Sequence, residues 1–136
     1  VLGHEMTHLV AHRFFMGRLP LWLNEGMAEW YGEFAYAEFK GVKKSRKAQY
    51  QGIGVAYPLA DLLTAETYPL DRDKIRLFYK TSKYLVGFLL LQKPAEKFGP
   101  FVADLTGGSD IESALGRYYE YSDLATLEKE FTKFIR

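Results

Sequence analysis

Cysteine is absent from this chain, which excludes disulfide bonds and every zinc site built on thiolate ligands. Long apolar runs are absent as well. The longest, Tyr84–Leu91, has eight residues, whereas a membrane-spanning helix needs about 20. The net charge is only +1, and the one basic cluster, at residues 40–47, is typical of a solvated loop. The sequence therefore predicts neither a transmembrane segment nor a nucleic-acid-binding surface.

What is present is enough apolar material for a core. The chain has 136 residues, of which 48% are hydrophobic and 16% aromatic, and this length suits one domain. No segment shows the alternation of a half-buried strand, so we expect residues 1–136 to form a single, mainly α domain.

The positions of proline, glycine and potential capping residues predict where the helices begin and end. One long helix is expected to run from a cap at Asp71 or Asp73 to about Gln92. Its apolar face should comprise Ile75, Phe78, Leu85, Phe88 and Leu89. The predicted helices are residues 1–17, Leu21 to about Glu38, Pro58 to about Leu63, a helix capped by Asp71 or Asp73 and running to about Gln92, Pro94 to Leu105, Ser109 to about Tyr119, and a last helix capped by Ser122. An irregular connection is expected from Lys40 to Tyr57.

The spacing of His4 and His8 is suited to a metal ion. On a helix, four residues separate two side chains by about 40° around the axis and about 6 Å along it, so both imidazoles can reach one ion. Glu5 lies about 100° round from His4, where it would flank the metal and could accept a proton from metal-bound water. Catalytic zinc usually has three protein ligands and one water.

The third ligand is predicted to be Glu25. Gly17 and Pro20 end the first helix and restart the second after a short loop, so the first turns of the second can reach back to the histidines. Glu29 lies one turn beyond Glu25 and could hydrogen-bond to a zinc-bound imidazole, or simply be a solvated carboxylate. A rival pair, His8 and His12, encloses no residue that can act as a base.

These residues resemble the gluzincin branch of zinc peptidases, the group of thermolysin and aminopeptidase N, and more closely the peptidase MA-like domains. The shared pattern is His-Glu-x-x-His at residues 4–8, then Trp-Leu-x-Glu-Gly-x-Ala at 22–28. The resemblance implies a helical zincin subdomain with Zn²⁺ bound by His4, His8 and Glu25. It also implies Glu5 as the base, Glu29 as an outer partner of the metal site, and a peptide or protein substrate.

A weaker match concerns a tyrosine. Residues 78–86 resemble the family's Tyr-x-x-Ser helix start, which implies that Tyr79 stabilises the oxyanion of the tetrahedral intermediate. Tyr79 could instead pack in the core, and Tyr84 is the reserve candidate. In full-length gluzincins a β-sheet that holds the substrate precedes the metal-binding helix. The sheet is therefore expected to lie in a longer protein, upstream of Val1.

The leading hypothesis is a zinc-dependent metallopeptidase. An alternative is a zinc-stabilised binding or scaffold domain of the same fold without turnover, and a third is a helical interaction domain without metal. Endopeptidase and aminopeptidase activities remain open, because the acidic groups that hold a free amine lie upstream of the metal helix in the related enzymes.

Overall fold

The computed structural model describes residues 19–40 and 56–136, and within these ranges the chain is helical without any strand. The mainly α prediction is thereby confirmed for the described part. Its six α-helices and one 3₁₀-helix are α1 (Leu21–Lys40), α2 (Leu59–Thr64), α3 (Arg72–Leu91), the 3₁₀-helix (Ala95–Lys97), α4 (Phe98–Thr106), α5 (Ile111–Tyr119) and α6 (Leu124–Ile135).

Two predicted segments lie outside the described residues. One is the first helix, residues 1–17, with its histidines. The other is most of the connection between Lys40 and Tyr57, which includes the basic cluster beyond Lys40.

Helix α1 begins as predicted and continues slightly beyond Glu38. The carbonyl of Pro20 accepts from the amides of Leu23 and Asn24 at 3.1 and 3.0 Å. Pro20 lacks an N–H, so placing it just before the first turn costs no helical hydrogen bond. The buried face of α1 carries Trp22 and Leu23, which are 1% and 0% exposed.

Helix α3 is the central element of the described core. Asp71 caps it by accepting from the Asp73 amide, and the helix ends at Leu91 beside the predicted Gln92. Four of the five predicted core residues are buried, and Ile75 is half-buried. Phe88 meets two rings of α6, Phe131 and Phe134, edge-on at centroid distances of 5.9 and 5.2 Å.

Helices α1 and α3 pack closely against each other at Gly26. A Cβ atom added there would lie 2.4 Å from the carbonyl oxygen of Ser82 and 2.6 Å from Cγ2 of Val86. Both distances are shorter than real Cβ contacts, so only a glycine fits. This close approach fixes the register of the helix that carries Glu25 against the helix that carries Tyr79.

The segment predicted as one helix from Pro94 to Leu105 is divided in two. The amide of Lys97 bonds to the Pro94 carbonyl at 3.1 Å, which closes a 3₁₀ turn, and α4 then begins at Phe98. Pro100 explains the boundary, because proline is tolerated only in the first turn of an α-helix.

The predicted cap of the last helix is wrong by one residue, since Asp123 caps it and not Ser122. The Asp123 carboxylate accepts from the amide and the hydroxyl of Thr126 at 2.7 and 2.8 Å. A carboxylate satisfies both donors and also suits the positive end of the helix dipole, which a serine hydroxyl does less well.

Replacing Asp123 by alanine should lower the melting temperature by a few degrees, whereas Ser122→Ala should melt like the parent. The hydrogen bonds from Thr126 hold the pKa of Asp123 below its usual value. The stabilisation is thus complete above the ordinary aspartate pKa of about 3.9 and is lost as the pH falls through the lower folded-state value. Thermal melts at neutral and strongly acidic pH would check this. An equal loss in Ser122→Ala, or a difference that persists in strong acid, would contradict it.

None of the helices within the described ranges combines the length and apolar character that crossing a bilayer requires.

Candidate functional site

Glu25 is a buried carboxylate on the second turn of α1. Its side chain is 4% exposed, whereas Glu33, two turns further along the same helix, is exposed and pairs with Lys83 at 3.0 Å. Burying a carboxylate is costly unless hydrogen bonds or positive charge compensate for the lost water. A buried glutamate in the predicted register is therefore a candidate for function rather than for solubility.

A tyrosine hydroxyl contacts this carboxylate. Tyr68, in the loop between α2 and α3, donates a hydrogen bond to Oε1 of Glu25. The Tyr68 ring packs edge-on against Phe78 and Tyr79, with centroids 5.8 and 5.6 Å apart. Burial and the bonded Glu25 raise the pKa of Tyr68, so the phenol remains protonated and acts as a donor at neutral pH.

Tyr79 lies beside the same carboxylate. It is half-buried on α3, and its pKa is raised first by burial and then by the negative charge of Glu25. The hydrogen bond with Tyr68 lowers the pKa of Tyr79, and the negative charge of Glu29 raises it. The structure thus brings Glu25, Tyr68 and Tyr79 together, and Glu29 is near enough for its charge to act on Tyr79. We call these four side chains the Glu25 cluster.

The reserve candidate, Tyr84, has different neighbours. It is 6% exposed, and the ammonium groups of Lys80 and Lys83 lie 5.9 and 5.2 Å from its ring centroid. Burial and the charge of Glu33 raise its pKa. Tyr84 therefore lies with the Glu33–Lys83 ion pair, on the part of α3 that follows the Glu25 cluster.

The chain segment that leads to Tyr68 is anchored to α3 and to the core. Before α2, the amide of Tyr57 donates to the hydroxyl of Thr81 on α3 at 3.0 Å, and the Tyr57 ring meets Phe78 edge-on at 5.4 Å. Within α2, Leu59 and Leu62 are buried. The loop at residues 65–71 is thus held close to α3, and Tyr68 reaches inward from it.

The remaining predicted metal-site residues, His4, Glu5 and His8, lie outside the described residues, as does the rival His12. Within residues 19–40 and 56–136, no group of three or more histidine, aspartate and glutamate side chains is close enough to hold a metal ion. Of the predicted ligand set, the described part therefore contains Glu25 alone. A buried carboxylate that already has a tyrosine donor fits a zinc ligand, because ligating carboxylates are themselves hydrogen-bonded.

Sequence reasoning missed Tyr68. It belongs to no motif and lies in a loop, outside any helical periodicity, and its partner is 43 residues away in the chain. The only available signal was a tyrosine beside Pro69 shortly before the predicted cap of α3, which is too common a feature to indicate a site.

Comparison of the chain with protein-family models, with curated proteins and with solved structures gives no match.

Proposed function

We propose that this protein is a zinc-dependent metallopeptidase in which His4, His8 and Glu25 bind the metal and Glu5 is the general base. The observation that supports this most is the burial of Glu25 on the second turn of α1, 4% exposed, with a phenol donating to it. A carboxylate that served only solubility would project into water, as Glu33 does.

The proposal assigns a separate task to each side chain. Bound zinc supplies a Lewis acid that polarises the scissile carbonyl and lowers the pKa of the attacking water. Glu5 takes the proton from that water and later passes it to the leaving amine. Glu29, one helical turn after Glu25, accepts a hydrogen bond from a ligating imidazole and thereby fixes its orientation.

Tyr79 is the better oxyanion donor of the two tyrosines on α3. It lies among Glu25, Glu29 and Tyr68, whereas Tyr84 lies near Glu33 and two lysines. A protonated phenol beside the metal ligand can donate to the negative oxygen that develops on the substrate. Removing one such donor lowers kcat by about 10²–10³-fold in other hydrolases.

The metal site is tested by zinc content. Glu25→Gln keeps an oxygen that can accept from Tyr68 but replaces a charged ligand by a weak one, so the chain should lose stoichiometric zinc. The affinity of this variant for zinc should fall by more than ~10–100-fold, which is the usual loss when a residue that only hydrogen-bonds to a metal ligand is removed. Elemental analysis and competition with a chelator would measure both.

Glu33→Gln is the matched control, because it neutralises a glutamate of the same helix at an exposed position. It should retain one zinc per chain. Zinc at about a thousand times its dissociation constant adds roughly 4 kcal/mol to the free energy of unfolding. A chelator should therefore lower the melting temperature of the parent and of Glu33→Gln. It should not change the melting temperature of Glu25→Gln. Full zinc occupancy in Glu25→Gln would refute the ligand assignment.

A further inference from the structure

The loop at residues 65–71 joins two firmly held helices. Before the loop, α2 is anchored by three leucines that are buried in the core. After it, Asp71 caps the first turn of α3. Between these anchors only Ala65 and Pro69 are half-buried, and the other side chains are exposed. The loop is therefore fixed at its ends and lies at the surface along its length.

The backbone in the middle of the loop is not tied down by hydrogen bonds. Within the described ranges, no amide or carbonyl of residues 66–70 bonds to another described group. Leu70 adds no packing, because it is fully exposed. Segments with few apolar contacts and an unbonded backbone can open at a small cost in free energy while the rest of the domain stays folded.

The side chain of Tyr68 is the attachment that holds the middle of the loop. Its hydroxyl donates to Oε1 of Glu25, and its ring meets Phe78 and Tyr79 edge-on at centroid distances of 5.8 and 5.6 Å. Tyr68 is 36% exposed, whereas Glu25 is 4% exposed. The tyrosine thus reaches from the protein surface to the buried carboxylate and covers the side of Glu25 from which it arrives.

We propose that the loop at residues 65–71 is a strap, fastened over Glu25 by the Tyr68 hydroxyl, which opens as a local unit and gives solvent and solutes access to this carboxylate. Opening breaks one hydrogen bond and two ring contacts and leaves α1, α2 and α3 in place. The hinges are the two ends of the loop, Ala65, where the backbone becomes extended after α2, and Asp71. The inference goes beyond the proposed function and concerns the protein without metal, so it stands whether or not Glu25 binds zinc.

The test is Tyr68→Phe, which removes the hydroxyl and keeps the ring. Amidation of Glu25 by a water-soluble carbodiimide and an amine, followed by mass spectrometry, reports access to the carboxylate. Cleavage after Glu66 by a glutamate-specific protease reports opening of the loop itself. Both rates should rise by about 10–100-fold, the change in an opening equilibrium expected from the loss of a hydrogen bond to a charged group. The full chain is measured after treatment with a chelator, so that no bound metal shields Glu25.

Tyr57→Phe is the matched control, because it also removes the hydroxyl of a tyrosine that meets Phe78 edge-on. The contact that ties Tyr57 to α3 uses its backbone amide, so both rates should stay parental in this variant. Glu33 is an internal reference within each sample. It is exposed on the same helix as Glu25 and should be amidated at the same rate in every variant.

Urea denaturation of each variant separates opening of the strap from unfolding of the domain. If the lower free energy of unfolding of Tyr68→Phe accounts for its faster rates, the loop opens only with the whole domain and the inference fails. It fails equally if neither rate changes, or if Tyr57→Phe raises both as much. Faster amidation of Glu25 without faster cleavage after Glu66 would show that the hydrogen bond acts on the carboxylate alone and fastens no strap. None of these results depends on zinc, so a failure here leaves the proposed function standing.

Discussion

Replacing Glu5 by glutamine should lower kcat/KM for peptide hydrolysis by about 10²–10⁴-fold, the usual contribution of a general base. Glutamine has nearly the same shape but cannot take a proton from water. Because Glu5 lies about 100° round the predicted helix from His4, the metal ligands are untouched and zinc should remain bound. The measurement is the cleavage of a peptide library by the whole protein, with zinc content determined on the same preparation.

Glu33→Gln serves as the control for the loss of one negative charge and should cleave at the parental rate. Parental hydrolysis in Glu5→Gln would show that another group is the base. A parent protein that binds one zinc but cleaves no peptide would favour the zinc-stabilised binding or scaffold domain over the enzyme. A parent that binds no zinc would favour the helical interaction domain.

Replacing Gly26 by alanine should destabilise the packing of α1 against α3 and lower the free energy of unfolding. The new Cβ would lie 2.4 Å from a backbone oxygen of Ser82, and backbone atoms of a buried helix cannot move aside as a flexible side chain can. Overpacking of this kind costs about 1–3 kcal/mol and occasionally more. That is a large fraction of the roughly 5–15 kcal/mol that holds a typical domain folded.

Gly116→Ala is the matched control for this substitution. Gly116 is an exposed residue of α5, and the nearest atom to an added Cβ is the carbonyl oxygen of Tyr121 at 3.4 Å, an ordinary contact. Alanine should leave stability unchanged or raise it by up to about 1 kcal/mol. Urea denaturation would measure both variants. Equal stability of Gly26→Ala and the parent would show that α1 and α3 do not meet as described.

Within residues 19–40 and 56–136, the helix pattern could largely be predicted from the sequence because its signals are local. Pro20 and Pro58 mark the starts of α1 and α2, and Asp71 caps α3. The errors have local causes as well. Pro100 moves the start of α4, and Asp123 takes the capping position from Ser122 because its carboxylate satisfies two donors of Thr126.

The Glu25 cluster could be predicted only in part. Glu25, Glu29 and Tyr79 each belong to a motif with helical spacing, so they could be named before their neighbours were known. Tyr68 could not, because its contact with Glu25 depends on how the loop at residues 65–71 packs against α3. The importance of Gly26 is likewise a tertiary effect, since only the crossing of α1 and α3 shows what its missing side chain permits.

The central claim is that two imidazoles and one carboxylate share a single zinc ion. Anomalous scattering at the zinc edge, from crystals grown with zinc, tests it most directly. We predict one peak per chain, coordinated by His4, His8 and an oxygen of Glu25, with a water or inhibitor atom as the fourth ligand. No peak, or a peak at His4 and His8 with Glu25 turned away from it, would contradict the account.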